Sequence, residues 1–307
     1  MKNEGFAGRY CRKCLYSSLS VHDMLRFVRM ISPDYDIYKR SGYPANAPIP
    51  TQDAANRIVT DMIQEGLYVD FVEHLIRIDR EGFMGRRYDL RGLDDVIGDI
   101  IEHGYSYDKT TGQFMENQQE RISLNWGRLK GGDERPMTVL RLDIAGNSAL
   151  VKNNPRNSIE KAYKDMRDIV TNAVVSRLGR LWSWEGDGAL AAFVFGSRDK
   201  LAIFAGMEIL HELFLYNRLG SPLSSPIKVR IGINAGPVLY SDNMTDCLKG
   251  DTIKKAVELE SKTEPNSLAI SRNLFMSLGQ AVLNIFSEEK NSGSVHFRQY
   301  QVNLEKV

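Results

Sequence analysis

The spacing of apolar residues along this chain changes from a helical period to a mixed one, and the change divides the sequence. In the first hundred residues Met24, Phe27, Val28 and Ile31 recur at three- and four-residue intervals behind Ser20 and Asp23. That pattern predicts a helix whose first free amides are capped by the serine and aspartate. Ala54, Ala55, Ile58 and Met62 follow Thr51 in the same rhythm and stop at Gly66, which predicts a second helix. A third is predicted over 93–102, ending at His103 and Gly104. The intervening YVDFVEHLIRI fits a strand or a helix, and its periodicity does not choose between them.

Residues 108–136 are polar and rich in turn formers, with only Ile122, Leu124 and Trp126 as apolar landmarks. We read 108–134 as a linker. Beyond it the chain alternates strand and helix patterns. A strand is predicted over 137–144, a helix over 158–177, a hairpin over 179–195 and a helix over 197–216, with Leu201, Phe204, Ala205, Ile209, Leu213 and Phe214 as its core face. Strands over 226–234 and 237–241, a helix over 252–262 and a short strand in EPNSLAIS complete the series. The expected fold is α+β: a mainly helical domain over 1–107, suited to regulation or partner binding, then a ferredoxin-like domain over 135–307.

The second domain holds the candidate chemistry. Asp143 stands near the end of the β-rich run MTVLRLDI, and Asp187 stands in the turn Gly186-Asp187-Gly188. Glycine and aspartate between two strand-like runs are a strong hairpin signal. A carboxylate at a strand end, beside another on a hairpin tip, suits hard divalent cations that prefer oxygen ligands. Two such cations could clamp the phosphates of a nucleotide. The plainer reading is that Asp187 only makes the turn and Asp143 only ends a strand. Trp182 and Trp184 alternate with Ser183 and Glu185, so one of the two sets faces inward, and packing is the favoured role for the tryptophans. GGDE at Gly131 to Glu134 invites comparison with diguanylate cyclases, but it precedes the first strand instead of forming a hairpin tip, and the comparison is rejected.

These landmarks come in a telling order. A strand ending in DI-x-G is followed by GDG-x-x-x-x-F, then RIGI-x-x-G, GDT-I and LES. Over residues 135–303 the chain resembles the catalytic domain of class III nucleotidyl cyclases, the adenylate and guanylate cyclases. The resemblance implies that Asp143 and Asp187, with the carbonyl of Ile144, hold two Mg²⁺ or Mn²⁺ ions per site. It implies that Ala145, Gly146 and Asn147 open a helix whose amides receive phosphate oxygens. It implies a homodimer, because the family's site lies at a dimer interface. The expected activity is formation of a 3′,5′-cyclic nucleotide monophosphate and pyrophosphate from a nucleoside triphosphate, for intracellular signalling.

Some positions depart from the family pattern. Where the family reads V-N-x-x-x-R, this chain has Ile253, Lys254 and, at the arginine position, Glu258. Losing one preorganised transition-state donor typically lowers a rate by ~10²–10³. Lys254 or Lys255 offers a point charge without an arginine's fork. Arg141 and Arg230 are further candidates for reaching the α-phosphate, although Arg230 reads as a surface residue. No lysine near Ser294 matches the family's triphosphate lysine, and Lys290 is out of register. The base-selecting positions carry Ser183 and Cys247, which complete neither purine pattern. The alternative to an active cyclase is a degenerate cyclase-fold protein that binds nucleotide or dimerises with little turnover.

Composition narrows the field. Lys plus Arg number 40 against 39 Asp plus Glu, a net charge of +1 that gives no reason to expect nucleic-acid binding. No apolar run approaches the ~20 residues of a membrane span, and the start of the chain lacks the apolar core of a secretory signal. Three cysteines argue against a disulfide framework and for a cytoplasmic protein. Cys11 and Cys14 form a lone CxxC, read as ordinary thiols because no second ligand pair follows.

Overall fold

The computed structural model describes residues 6–44, 47–293 and 295–302. The chain forms two compact units, divided between Ile122 and Ser123. That division falls inside the stretch 108–134.

The first unit contains helices α1 (Arg9–Ser18), α2 (Val21–Arg29), α3 (Ile37–Ser41), α4 (Thr51–Gln64), α5 (Tyr68–Glu81) and α6 (Leu93–Glu102), then a hairpin of β1 (Tyr105–Asp108) and β2 (Gln113–Glu116). The Ser20 hydroxyl accepts the Asp23 amide at 3.1 Å, as the capping pattern predicts. Helix α4 begins at Thr51 itself, with Pro50 preceding it, and buries Ala54, Ala55, Ile58 and Met62 completely. The ambiguous segment is helix α5. Tyr68, Phe71, Val72, Leu75 and Ile78 fall on one stripe and are all buried, so the helical period gains more apolar burial. Cys11 and Cys14 are buried in α1, and burial pushes both thiols up, Cys14 to about 12. Thiols held neutral in this way are poor nucleophiles and metal ligands.

The second unit contains β3 (Glu134–Ile144), α7 (Asn147–Lys152), α8 (Arg156–Val175), β4 (Arg180–Glu185), β5 (Gly188–Phe193), α9 (Arg198–Leu219), β6 (Val229–Leu239), α10 (Met244–Cys247), α11 (Asp251–Lys262), β7 (Ser267–Ser271), α12 (Arg272–Ser277), α13 (Gln280–Leu283), β8 (Lys290–Ser292) and β9 (Val295–Gln301). Seven strands form one sheet in the order β4-β5-β3-β6-β7-β9-β8. The β6–β7 pair is parallel and every other pair is antiparallel. The architecture is α+β and ferredoxin-like.

Alternation along β3 explains the two faces. Leu140, Leu142 and Ile144 join the main core with Met166 and Val170 of α8 and Ile209 and Leu213 of α9. Arg141 and Asp143 therefore point to the opposite face, which α11 covers. Helix α9 is apolar on most sides, so periodicity finds Ala205, Ile209 and Leu213 of its core face but not the rest. Ala202, Gly206, Ile209 and Leu213 are buried, whereas Phe204 is 40% exposed. Segment 123–126 belongs to this unit. Trp126 is fully buried and donates through Nε1 to the Leu178 carbonyl at 2.6 Å, while Trp182 donates to the Leu124 carbonyl at 3.1 Å.

Candidate active site

The sheet delivers Asp143 and Asp187 to the same end of the β3–β5 pair. Leu142 pairs with Ala189, so the same register sets Asp143 opposite Gly188. Glu185 pairs with Gly188, which leaves Gly186 and Asp187 as the two-residue loop. Of these only Gly186 has positive φ, at 60°, so the turn is of the glycine-first kind, centred one residue earlier than the Asp-Gly signal implies. A Cβ on Gly188 would stand 2.9 Å from Cζ and 3.1 Å from Nη1 of Arg141. The arginine head group thus lies against the hairpin backbone.

A chain of charges runs from Asp143 into α11. Arg230 faces Asp143 across the β3–β6 ladder and donates from Nη2 to Oδ2 at 2.8 Å. Its Nε lies 3.1 Å from Glu260 Oε1, an ion pair without the alignment of a hydrogen bond. Arg230 is therefore not the free surface residue that the sequence indicates: its side chain is 29% exposed and bridges two carboxylates. Burial raises the Glu260 carboxyl above its ordinary value. Arg230 opposes the shift, Asp143 adds to it, Arg141 opposes it and Asp187 adds to it. Five charged groups thus share one local field, and Glu260, the glutamate of LES, is a participant that residue-type reasoning missed.

The turn after β3 sits beside them. The Ala145 amide donates to the Lys228 carbonyl at 2.8 Å, Gly146 is left-handed at φ 73°, and Asn147 begins the six-residue α7. The Tyr163 hydroxyl, from α8, donates to Asn147 Oδ1. Burial raises the Tyr163 phenol, and the charge of Asp187 adds to the rise. Tyr163 therefore ties α8 to the α7 turn, a bond that no sequence motif announces.

None of the remaining candidates is bonded to Asp143 or Asp187 among the described residues. Lys254 is largely exposed and pairs with Asp251 at 3.3 Å. Glu258 pairs with Lys262 at 2.8 Å, and Lys262 also donates to the Ser292 carbonyl. No bond joins either residue to Asp143 or Asp187. Ser183 is half-buried on β4. Cys247 is buried, and its sulfur accepts the Ser241 amide at 3.1 Å, so its thiol fastens a loop. Trp182 is buried against Trp126 and Tyr240, and Arg167 stacks over Trp184, in keeping with packing roles. Ser294 lies outside the described residues.

No family model matches the chain. It is 28% identical over 109 residues to an uncharacterized protein of Mycobacterium tuberculosis, covering 36% of this chain and 20% of that protein. It is 26% identical over 137 residues to the Rhizobium meliloti protein named "Putative adenylate cyclase 3", covering 45% of this chain and 22% of that protein. The match thus spans about a fifth of the length of these curated relatives. Among solved structures, an adenylate/guanylate cyclase/hydrolase from Silicibacter pomeroyi aligns over 56% of this chain and 99% of its own, at 22% identity and a TM-score of 0.47. The second unit resembles a class III nucleotidyl cyclase catalytic domain.

The donors of this cyclase-like unit are hard oxygens: the Asp143 and Asp187 carboxylates and the Ile144 carbonyl. Among the described residues no three His, Cys, Asp or Glu side chains converge as a ready metal centre. Two carboxylates fit Mg²⁺ or Mn²⁺ nonetheless, because Mg²⁺ commonly takes one or two protein carboxylates and fills its other positions with phosphate oxygens and water. Arg230 occupies Asp143 Oδ2 and leaves Oδ1 for a cation. No helix among the described residues is long and apolar enough to cross a membrane.

Proposed function

We propose that this protein is a nucleotidyl cyclase that converts a nucleoside triphosphate into a 3′,5′-cyclic nucleotide monophosphate and pyrophosphate. The observation that carries the reading is the convergence of Asp143 and Asp187 at one end of a cyclase-like sheet. In the reaction the ribose 3′-oxygen bonds to the α-phosphorus, the bond from that phosphorus to the α–β bridging oxygen breaks, and the hydroxyl proton is lost to solvent. Mg²⁺ or Mn²⁺, when bound, lowers the pKa of the hydroxyl and neutralises the phosphates. Asp143, Asp187 and the Ile144 carbonyl would hold those ions. Arg230 orients Asp143, and Glu260 holds Arg230 from behind. Gly146 and Asn147 follow Asp143 in the same turn and would face the phosphates, with Tyr163 fixing Asn147, whereas the Ala145 amide is taken by the Lys228 carbonyl. A homodimer would bring Ser183, Cys247, Lys254 and Glu258 of one copy toward the carboxylates of the other, and the helical unit would regulate the assembly or bind a partner.

One observation favours a second reading, a nucleotide-binding or dimerising regulator with little turnover. The residue at the family's arginine position, Glu258, is an acid already neutralised by Lys262. The deciding experiment incubates the protein with Mn²⁺ or Mg²⁺ and each of ATP, GTP, CTP and UTP, and resolves products by mass spectrometry. A cyclic monophosphate from at least one base, abolished by Asp187→Ala, is expected. Metal-dependent nucleotide binding without product from any base would establish the regulator.

A further inference from the structure

Arg141, one of the arginines the sequence offers for the α-phosphate, stands among the charged groups of the site. It shares a face of β3 with Asp143, two residues away, and lies between Leu190 of β5 and Gly232 of β6. Its guanidinium leans along the hairpin over Gly188 and fills the space a side chain would take there. Two of the carboxylates near it are engaged by another residue: Arg230 pairs with Asp143 and with Glu260. Among the described residues no hydrogen bond or ion pair is formed by Arg141, and its Nε is buried without an acceptor.

An arginine carries five N–H donors in a fixed fork and stays charged at any physiological pH. Leaving such donors half-buried without acceptors is unfavourable, because their water has been removed and nothing replaces it. A sheet needing only to neutralise Asp143 already has Arg230. An anion arriving beside Asp187 would meet the Arg141 fork directly, and a phosphate matches that fork with two parallel hydrogen bonds. The aliphatic alternative at position 141 would pack under α11 with no such consequence.

We propose that Arg141 is a phosphate-binding residue, whose guanidinium takes oxygens of a nucleoside triphosphate's phosphate chain beside the Asp187 hairpin. The inference rests on the nucleotide-binding reading of the site and adds the residue that receives the phosphates. The cation comes from strand β3, in place of α11, where Glu258 is paired with Lys262.

The test is equilibrium binding, separate from turnover. A fluorescent nucleoside triphosphate and unlabelled pyrophosphate are titrated into the full chain in EDTA, and Mn²⁺ alone is titrated by electron paramagnetic resonance. Arg141→Gln should weaken triphosphate and pyrophosphate binding by roughly tenfold to a hundredfold, the worth of charge-assisted hydrogen bonds. Arg141→Lys should fall between, since it keeps the charge and loses the fork. Mn²⁺ affinity should hold or tighten in Arg141→Gln, because a cation near the carboxylates is gone. Gly188→Ala keeps the arginine but pushes its head group away, and should weaken pyrophosphate in the same direction. Circular dichroism confirms that each variant is folded. Wild-type pyrophosphate affinity in a folded Arg141→Gln protein would overturn the proposal, as would an equal loss of Mn²⁺. If the unaltered protein binds neither triphosphate nor pyrophosphate, the nucleotide-binding reading falls and this inference with it.

Discussion

At Gly232 the sheet meets the backbone of α11 directly, and replacing it with alanine is the sharpest test of the packing that holds Glu260 in the site. A Cβ at this position would collide with the Ala256 carbonyl oxygen and stand 2.5 Å from the Glu260 amide nitrogen and 3.0 Å from its Cα. Favourable carbon contacts lie at about 3.5–4.0 Å, so α11 must lift by about 1 Å. The obstructing atoms are helix backbone, which cannot rotate aside. Overpacking of this kind destabilises by about 1–3 kcal/mol, with about 0.4–1 kcal/mol returned by the lower entropy of the unfolded alanine chain. A net loss of about 1.3 kcal/mol corresponds to a Tm about 3–5 °C lower for a unit of this size. The same lift would draw Glu260 away from Arg230, now 3.1 Å apart. The measurement is thermal unfolding followed by far-UV circular dichroism, with Gly98→Ala as the opposite control. Gly98 is inside α6 with nothing near its Cβ position and an ordinary φ, so alanine there should stabilise the helix by up to ~1 kcal/mol. A Gly232→Ala transition within about 1 °C of wild type would refute the argument that backbone contact fixes α11.

Three further outcomes are expected. The Glu260 carboxyl is raised in the folded protein, so the native state holds more protons than the unfolded chain between the ordinary glutamate value and the raised one. Stability should therefore fall as pH rises through that window, and Glu260→Gln should flatten the slope of urea midpoints measured there. Trp126→Ala should destabilise the second unit by about 3–5 kcal/mol, because it removes a fully buried ring and its bond to Leu178. Intrinsic fluorescence during urea unfolding reads this, and a loss under 1 kcal/mol would contradict the packing described. Asp187→Asn should weaken Mn²⁺ binding at least tenfold by electron paramagnetic resonance with secondary structure unchanged, since only a carboxylate brings charge to the hairpin tip.

The helices with one apolar stripe were legible from spacing, as the buried Ala54, Ala55, Ile58 and Met62 show. The strand ending in Asp143 and the hairpin bearing Asp187 were legible because each ends at a turn whose chemistry is local. By contrast, the two strands expected over 226–234 and 237–241 are one continuous strand, β6, and β8 and β9 gave no recognised signal. Three things were not. YVDFVEHLIRI satisfies two periods, and only burial against the rest of its unit selects the helix. Helix α9 is apolar on most sides, so its exposed Phe204 and buried Ala202 could not be distinguished by period. Residues 105–108 and 113–116 pair through a short hairpin whose polar surface resembles a linker. In the site itself, the positions of Arg230, Glu260 and Tyr163 depend on pairing across 87, 30 and 16 residues of chain, and long-range geometry leaves no local signature.

The long β3–β6 ladder also bears on how the chain emerges from a ribosome. Strand β3 finds one neighbour soon, in the hairpin strand β5, but its other edge waits for β6, roughly 85 residues later in the sequence. At a synthesis rate of about 5–20 residues per second, that edge, with the apolar side chains of MTVLRLDI beside it, stays unpaired for several seconds or more. During that interval it is an open template for any other strand. The nascent protein is thus most in need of chaperone cover after its hairpin has folded and before the RIGI strand arrives.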